Sequence, residues 1–600
     1  MHEQEDLMDN AGHSGQESVP ALTVSADQDA RMAWWREAKV GLFIHWGLYS
    51  LQGGFWKGQE VQASYAEHLM LRAQIPVREY EEIAAEFRAE RFEARQWARM
   101  AKQAGLQYLI YTAKHHDGFA MYDSDVSDYN MVQRTPFGRD PLRELADACR
   151  EEGVKLCIYY SHSMDWHHPD SQGNIWDYPA NIGAYDDVAS WIDDEDKRSR
   201  YENYLSSFAL PQVKELLEKY GPIGLMWFDC GHKLTAEQGT AFVEQVRRVQ
   251  PNCLVNRRVW MEPYGDYGNS SDNQPHVRVP REDWESIATF NDSWGYKATD
   301  HNWKTSVEVL QQMIDVLSQN GNFVINVGPT GDGAFDPKSV ELLEQIGAWM
   351  QINSDAVYGT RKSPIGKPPW GRSTIKGNTL YLHIFEWPQS GKLVVPGLRN
   401  VVLKAYALAD TERRALPVHR QSEEDIVIDV PQELMASTIP VFAVEFAGAC
   451  DASPVSLLYT QDYPNRFDAF DAHIAGSTIR YDTGKKDHDN LVNWKSLDDE
   501  ASWKFRSSGI GHWKVALEYG ADEQTAGGSC ELSVYSGSTG ERVAHILGQI
   551  RSTGGWYDFD IVNIGSFSIP HAGEYVLKLG AASLDGDMLM CLKRIVLEPI

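Results

Sequence analysis

The sequence predicts an α/β protein: a (β/α)8-like TIM barrel as catalytic domain, followed by two all-β domains of β-sandwich type. Three observations carry this. Short apolar runs alternate with amphipathic helical stretches over about residues 31–361, which is the pattern of a parallel sheet with helices outside it. Beyond Arg361 strict period-two alternation takes over, the mark of half-buried antiparallel strands. The chain has 600 residues, more than one hydrophobic core supports, so several domains are expected.

The elements follow in order. Residues 1–30 are polar and acidic and read as a loosely ordered tail. From residue 31 to 361 the apolar runs VGLFI, YLIY, VKLCIYY, IGLMWF, CLVN and FVINV read as barrel strands. Between them VREYEEIAAEF, RQWARMAKQAG, PQVKELLEKYG and SVEVLQQMIDVLSQNG have helical periodicity, several ending in the Gly expected past a helix C-terminus. KSPIGKPPWG is a linker. A small β domain, 362–448, shows alternation at Leu380, Leu382 and Ile384, at Ile426, Ile428 and Val430, and at Phe442, Val444 and Phe446. A second β-sandwich, 449–600, contains Trp513, Val515, Leu517 and Tyr519, then Tyr575, Leu577 and Leu579. It suits a carbohydrate-binding domain and, equally, a structural or oligomer-forming one.

Composition excludes several classes. With 85 acidic against 56 basic residues the net charge is -29, which repels nucleic acid and anionic lipid. No apolar run is long enough to span a membrane. Seven Cys are scattered without close pairs, which argues against a disulfide framework. The polar start lacks the basic and apolar segments of a secretory signal, so a soluble, cytoplasmic protein is expected.

In a barrel of this kind, catalytic groups project from the C-terminal ends of the strands. The polar residues directly after the apolar runs are His45, His115-His116-Asp117, Asp165-Trp166, Asp229 and Arg257-Arg258. Asp229 follows GLMWF without a spacer. It suits the ionised carboxylate with which a retaining glycosidase attacks the anomeric carbon, a second carboxyl about 5 Å away protonating the leaving oxygen; on position alone, an Arg-paired or helix-capping carboxylate is as good a reading. Adjacent His on an extended strand point to opposite faces, so His115 and His116 do not naturally chelate one ion, and no metal or organic cofactor is expected. His162, His167 and His168 read as solvated loop residues.

At these residues the sequence resembles glycoside hydrolase family 29, the α-L-fucosidases. Seven motifs recur in order from about Trp34 to Thr360: WWREAKVGLFIHWG; AKHHDGFAMYDS; YYSHSMDWHHP; LMWFD; NRR followed by GDY; WES with NDSWGY; and NGNFVINVGPTGDG with INSDAVYGT. The resemblance implies an exo-acting retaining hydrolase of terminal α-L-fucosides, needing no cofactor, with fucosylated oligosaccharides or glycoconjugates as partners and homo-oligomerisation left open. It implies that Asp229 is the nucleophile, that His45, His115 and His116 hold sugar hydroxyls, and that Tyr159 (with Tyr160 as rival) lies near the nucleophile. Arg258 lines the site, and Trp294 packs on the C6 methyl. Burial of one methyl contributes on the order of 1 kcal/mol, so rejection of galactosides also needs steric closure.

Three departures stand out. Glu67-His68 falls where the family has a Glu-Trp pair. Cys230 follows the nucleophile where many relatives have Gly. Ser271 stands where many carry the acid Glu. Glu262, Asp272, Glu282 and Glu285 are nearby carboxylates, and Glu285, read as a loop residue, is the expected general acid. Ser271 and His68 keep a catalytically impaired fucose-binding protein as an alternative, and an α-L-galactosidase is the other.

Overall fold

A computed structural model of the chain describes residues 26–260, 265–270, 272–273, 283–482, 489–523 and 527–600. It packs as two compact units: one is built on the residues up to Ser354, and the other on Asp355–Ile600 together with Leu317–Asn320.

The first unit holds one eight-stranded parallel sheet. Its strands are β1 (Val40–Ile44), β2 (Tyr108–Lys114), β3 (Lys155–Tyr160), β4 (Leu225–Phe228), β5 (Leu254–Val255), β6 (Gly268–Asn269), β7 (Trp284–Thr289) and β8 (Asn322–Val327). They pair in the order β6-β7-β8-β1-β2-β3-β4-β5, and a parallel bridge between Asn256 and Tyr267 joins the two outer strands. The sheet therefore curls into a barrel-like ring in which every strand lies beside its chain neighbour. Helices Ala94–Gln103, Pro141–Glu152, Leu210–Lys219, Ala236–Val249, Ser306–Ser318 and Pro337–Asn353 alternate with the strands.

Alternate residues of each strand fill the ring: Phe43, Tyr108 and Ile110, Cys157 and Tyr159, Leu225 and Trp227, Leu254, Ile287 and Val324 share one buried cluster. Side chains of period two have nowhere else to go once the ring closes. Gly41 is required beside Tyr108, because a Cβ there would sit 2.5 Å from the tyrosine ring. The helix Ala26–Ala38 adds Met32 and Trp35 to the same cluster, with Trp35 stacked on Tyr267 at 4.6 Å. This helix starts inside the stretch expected as a tail to residue 30. Strands β6 and β7 were not legible as strands either. The run WESIAT carries Glu285 and Ser286, which break its apolar signal although all six residues are buried.

In the second unit, strands Gly371–Lys376, Thr379–Ile384, Val441–Phe446 and Val402–Ala407 form an antiparallel sheet in that order, facing a three-stranded sheet of Lys392–Val395, Ile426–Asp429 and Val418–Arg420. Leu380, Leu382, Ile384, Ile426, Ile428, Phe442, Val444 and Phe446 are its core. Farther along, two six-stranded sheets share one apolar core, to which one sheet gives Trp503, Phe505 and Leu577 and the other Trp513, Val515 and Leu517. A buried Arg506–Asp425 ion pair ties the two β segments together. No helix among the described residues is long and apolar enough to cross a membrane. None of the seven Cys, all of them described, is in a disulfide.

One buried ion pair sits beside the rim of the ring. The Lys114 ammonium at the end of β2 donates to Asp165 at 2.8 Å, with both side chains essentially inaccessible. Backbone N–H groups of His167 and His168 donate to the other Asp165 oxygen. Burial alone would raise the Asp165 carboxyl, but Lys114 and the neighbouring histidines hold it below its ordinary value. Removing one partner of such a pair strands a charge in low dielectric. Lys114→Met is expected to cost about 3–5 kcal/mol in urea-denaturation experiments, and adding Asp165→Asn should recover a large part of that loss.

Candidate active site

Five strand ends supply the site. His45 directly follows β1, His115 and His116 follow β2, Tyr159 is the penultimate residue of β3, Asp229 follows β4, and Arg258 lies in the 3-10 turn Arg257–Val259 just after β5. Parallel strands deliver their C-terminal ends to one rim, so residues far apart in sequence meet there.

The Asp229 carboxylate is the hub. Its Oδ2 accepts from the Tyr159 hydroxyl at 3.0 Å. Its Oδ1 accepts from Arg258 Nη1 at 3.1 Å and from the Cys230 backbone N–H at 2.9 Å. Burial raises its pKa above the ordinary carboxylate value, while Arg258 and the Tyr159 hydroxyl oppose the rise. The other Arg258 nitrogen, Nη2, bonds the Ser270 carbonyl and the Asp272 carboxylate, and the guanidinium lies over the Trp227 ring. One guanidinium therefore bridges two carboxylates. Tyr160, the rival of Tyr159, points the opposite way and donates to Gln212, as the two-residue period of a strand requires.

Burial favours the neutral form of the His45, His115 and His116 imidazoles, and for His45 and His116 a partner sets the tautomer. Asn326 donates through Nδ2 to the Trp294 carbonyl at 2.7 Å, which turns its Oδ1 toward His45 Nδ1 at 2.7 Å. His45 thus carries its proton on Nδ1 and leaves Nε2 as an acceptor. Burial pushes its pKa down to about 4. Ser161 donates its hydroxyl proton to the Met164 carbonyl, so its oxygen accepts from His116 Nδ1 at 2.6 Å. His116 Nε2 is left bare, 3.7 Å from Asp229 Oδ2. Burial first, and then crowding by the neighbouring imidazoles and Lys114, pushes His115 and His116 well below the usual imidazole value. His115 stacks flat on Tyr159, and its buried Nδ1 has no hydrogen-bond partner among the described residues.

The adjacent histidines share one side of the site, with ring centres 4.3 Å apart. A register slip between Thr112 and Lys114, against β3, immediately precedes them, and such an irregularity re-aims the residues that follow. Glu67 is buried, and its Oε2 accepts from the Gly295 N–H at 2.8 Å. His68 lies among the rings of Tyr65, His115, His116 and Trp166. Trp294 is buried beside His45 and Phe43.

Glu285 is not where the sequence suggested. It is the second residue of β7, paired with Asn269 and with Asn322 at the start of β8, and it is fully buried. Trp227 Nε1, the Tyr108 hydroxyl and the Tyr267 hydroxyl all donate to its carboxylate. A group enclosed in the interior of the ring, toward the strand starts, does not reach a bond cleaved at the opposite rim, so its assignment as general acid is corrected. Glu262, Ser271 and Glu282 lie outside the described residues. Asp117 and Asp165 are also absent from the site. The first bonds Tyr80, and burial pushes it up to about 7, while the second pairs with Lys114. Of the loop histidines, His162 is fully buried and bonds the Val259 carbonyl, so it is no solvated residue. Sequence reasoning passed over Asn326. A lone Asn inside FVINV was the available signal for it.

Neutral imidazoles, indoles and paired carboxylates at one rim suit a neutral, hydroxyl-rich substrate, as in a glycoside hydrolase. A family model for alpha-L-fucosidases matches residues 7–355. Tissue alpha-L-fucosidase of Rattus norvegicus is 28% identical over 446 residues, 70% of this chain and 89% of the relative. Plasma alpha-L-fucosidase of Homo sapiens is 28% identical over 391 residues, 61% of this chain and 79% of the relative. An alpha-L-fucosidase structure from Vibrio sp. strain EJY3 superposes with a TM-score of 0.75 at 27% identity, covering 96% of this chain and 98% of the other. A family 29 enzyme from Bacteroides thetaiotaomicron gives a TM-score of 0.63 at 27% identity over 72% and 98%. The chain belongs to the alpha-L-fucosidase family, and fucosylated glycans are the substrates that family implies.

Asn326 serves His45 and the Trp294 loop at once. Asn326→Leu should leave two buried polar groups without partners, at about 1–3 kcal/mol each. Expected is a lower denaturation midpoint together with a raised KM for an aryl α-L-fucoside; an unchanged KM would show that the His45 tautomer is immaterial to binding.

Proposed function

We propose that this chain is a retaining exo-α-L-fucosidase that releases terminal α-L-fucose by double displacement, with Asp229 as nucleophile and Asp272 as general acid and base. One observation carries the pairing: Arg258 holds both carboxylates, Asp229 through Nη1 and Asp272 through Nη2. An Asp229 oxygen attacks C1 while Asp272 passes its proton to the departing glycosidic oxygen. Asp272, now ionised, takes a proton from water, which attacks C1 and frees L-fucose and Asp229. The neighbouring Asp272 carboxylate adds to burial in raising Asp229, because two adjacent anions disfavour double ionisation. Asp229 attacks only when ionised, and its folded pKa is raised, so turnover is retained above that value and lost as pH falls through it. A family 29 enzyme of Bacteroides thetaiotaomicron has been trapped as a covalent intermediate with 2-fluoro-fucosyl fluoride, which supports the covalent step here.

His45 and His116 offer bare Nε2 atoms that accept from sugar hydroxyls, and His115, Glu67 and His68 complete that wall. Trp294 takes the C6 methyl. The barrel-like sheet is read as a (β/α)8 barrel of TIM type spanning about 31–361, followed by the β domain 362–448. The last β segment, 449–600, is read as a β-sandwich that suits carbohydrate binding.

Asp229→Gly should lower turnover of an aryl α-L-fucoside about a thousandfold or more, with azide restoring it and yielding fucosyl azide; near-normal activity would reject the assignment. Asp272→Ala should lose on the order of 100-fold or more on fucosides with poor leaving groups and far less in the first step on activated aryl fucosides. Equal losses on both would remove Asp272 as the acid.

A further inference from the structure

Cys230 places a thiol beside two groups of the site. Donor atoms of His116, Asp229 and Cys230 all lie within 4.8 Å of one another. Cys230 adopts a left-handed conformation, φ +56°, which turns the chain sharply just past β4. Three features make this trio more than a chance grouping. His116 carries its proton on Nδ1, fixed by Ser161, so Nε2 presents a lone pair, as a metal-bound imidazole requires. The Asp229 oxygen on the His116 side, Oδ2, is not the one held by Arg258. Nitrogen, oxygen and sulfur together match a borderline-soft ion. Zn2+ binds sulfur at about 2.3 Å and nitrogen or oxygen at about 2.0–2.2 Å, so donors around one tetrahedral ion lie roughly 3.3–3.8 Å apart. The donors, within 4.8 Å of one another, have to draw in by about 1 Å to share one ion.

We propose that His116, Asp229 and Cys230 form a binding site for a divalent transition-metal ion such as Zn2+, and that an ion bound there engages the nucleophile and inhibits the enzyme competitively. The inhibitory half rests on the proposed role of Asp229; the binding half does not. The Cys230 thiol passes its proton to the buffer on binding, and water fills the fourth position. The Asp229 carboxylate and the Cys230 thiolate balance the charge of the ion.

The test uses the full chain. Titration with Co2+ should produce a thiolate-to-cobalt charge-transfer band in the near ultraviolet that disappears in Cys230→Gly. The exposed Cys450 remains in both proteins, so the difference isolates Cys230. Glycine suits the left-handed backbone there, and Cys230→Ser, checked by near-ultraviolet circular dichroism, serves as a second variant. Zn2+ should raise the apparent KM of the wild type without changing kcat, reversibly with EDTA. Cys230→Gly should need at least tenfold more Zn2+ for the same effect. An identical band and identical Zn2+ sensitivity in wild type and both variants would overturn the proposal. A Cys230-dependent band without any inhibition would leave the metal site standing and count against Asp229 as nucleophile.

Discussion

The Asp229 carboxylate stands at the end of a buried strand, largely withdrawn from water, and the groups of the rim gather around it. Burial pushes Asp229 toward its neutral form, and an isolated buried charge would simply take up a proton. Arg258, the Tyr159 hydroxyl and the Cys230 N–H oppose that drift with three hydrogen bonds. The imidazoles, by contrast, are kept neutral by the same burial. They add no competing cation, and they face the site as polar but uncharged groups.

Positioning is shared among elements that are rigid for reasons of their own. The ring closes because each strand finds its chain neighbour, and its interior is filled by alternate side chains that leave no freedom of register. Asn326 in β8 and Ser161 after β3 set ring orientations and tautomers without approaching Asp229 themselves. The interior carboxylate Glu285 belongs to this scaffold. Three donors, from β2, β4 and the residue before β6, converge on it, so it cross-links strands at the end opposite the site. Its raised pKa follows first from burial.

Cys230 shows how one backbone constraint acquires a chemical consequence. The turn after β4 calls for positive φ, which glycine meets without penalty. Cysteine meets it at some conformational cost, and in doing so sets a thiol within reach of His116 and Asp229.

Most of this protein was legible as a sequence because its signals are local. Apolar runs located six of the eight ring strands, and period-two alternation located the β segments after Arg361. Asp229, placed immediately after an apolar run, stood out for the same reason. What stayed hidden depends on partners remote in sequence. Trp284–Thr289 carries a glutamate that only its tyrosine and tryptophan donors make tolerable in a buried strand, so the run read as a loop and its carboxylate as an acid. Whether Tyr159 or Tyr160 faces Asp229, which nitrogen of His45 bears the proton, and that Asp272 shares Arg258 with Asp229 are matters of direction and distance. Residue order constrains neither until the ring closes and brings separate strand ends together.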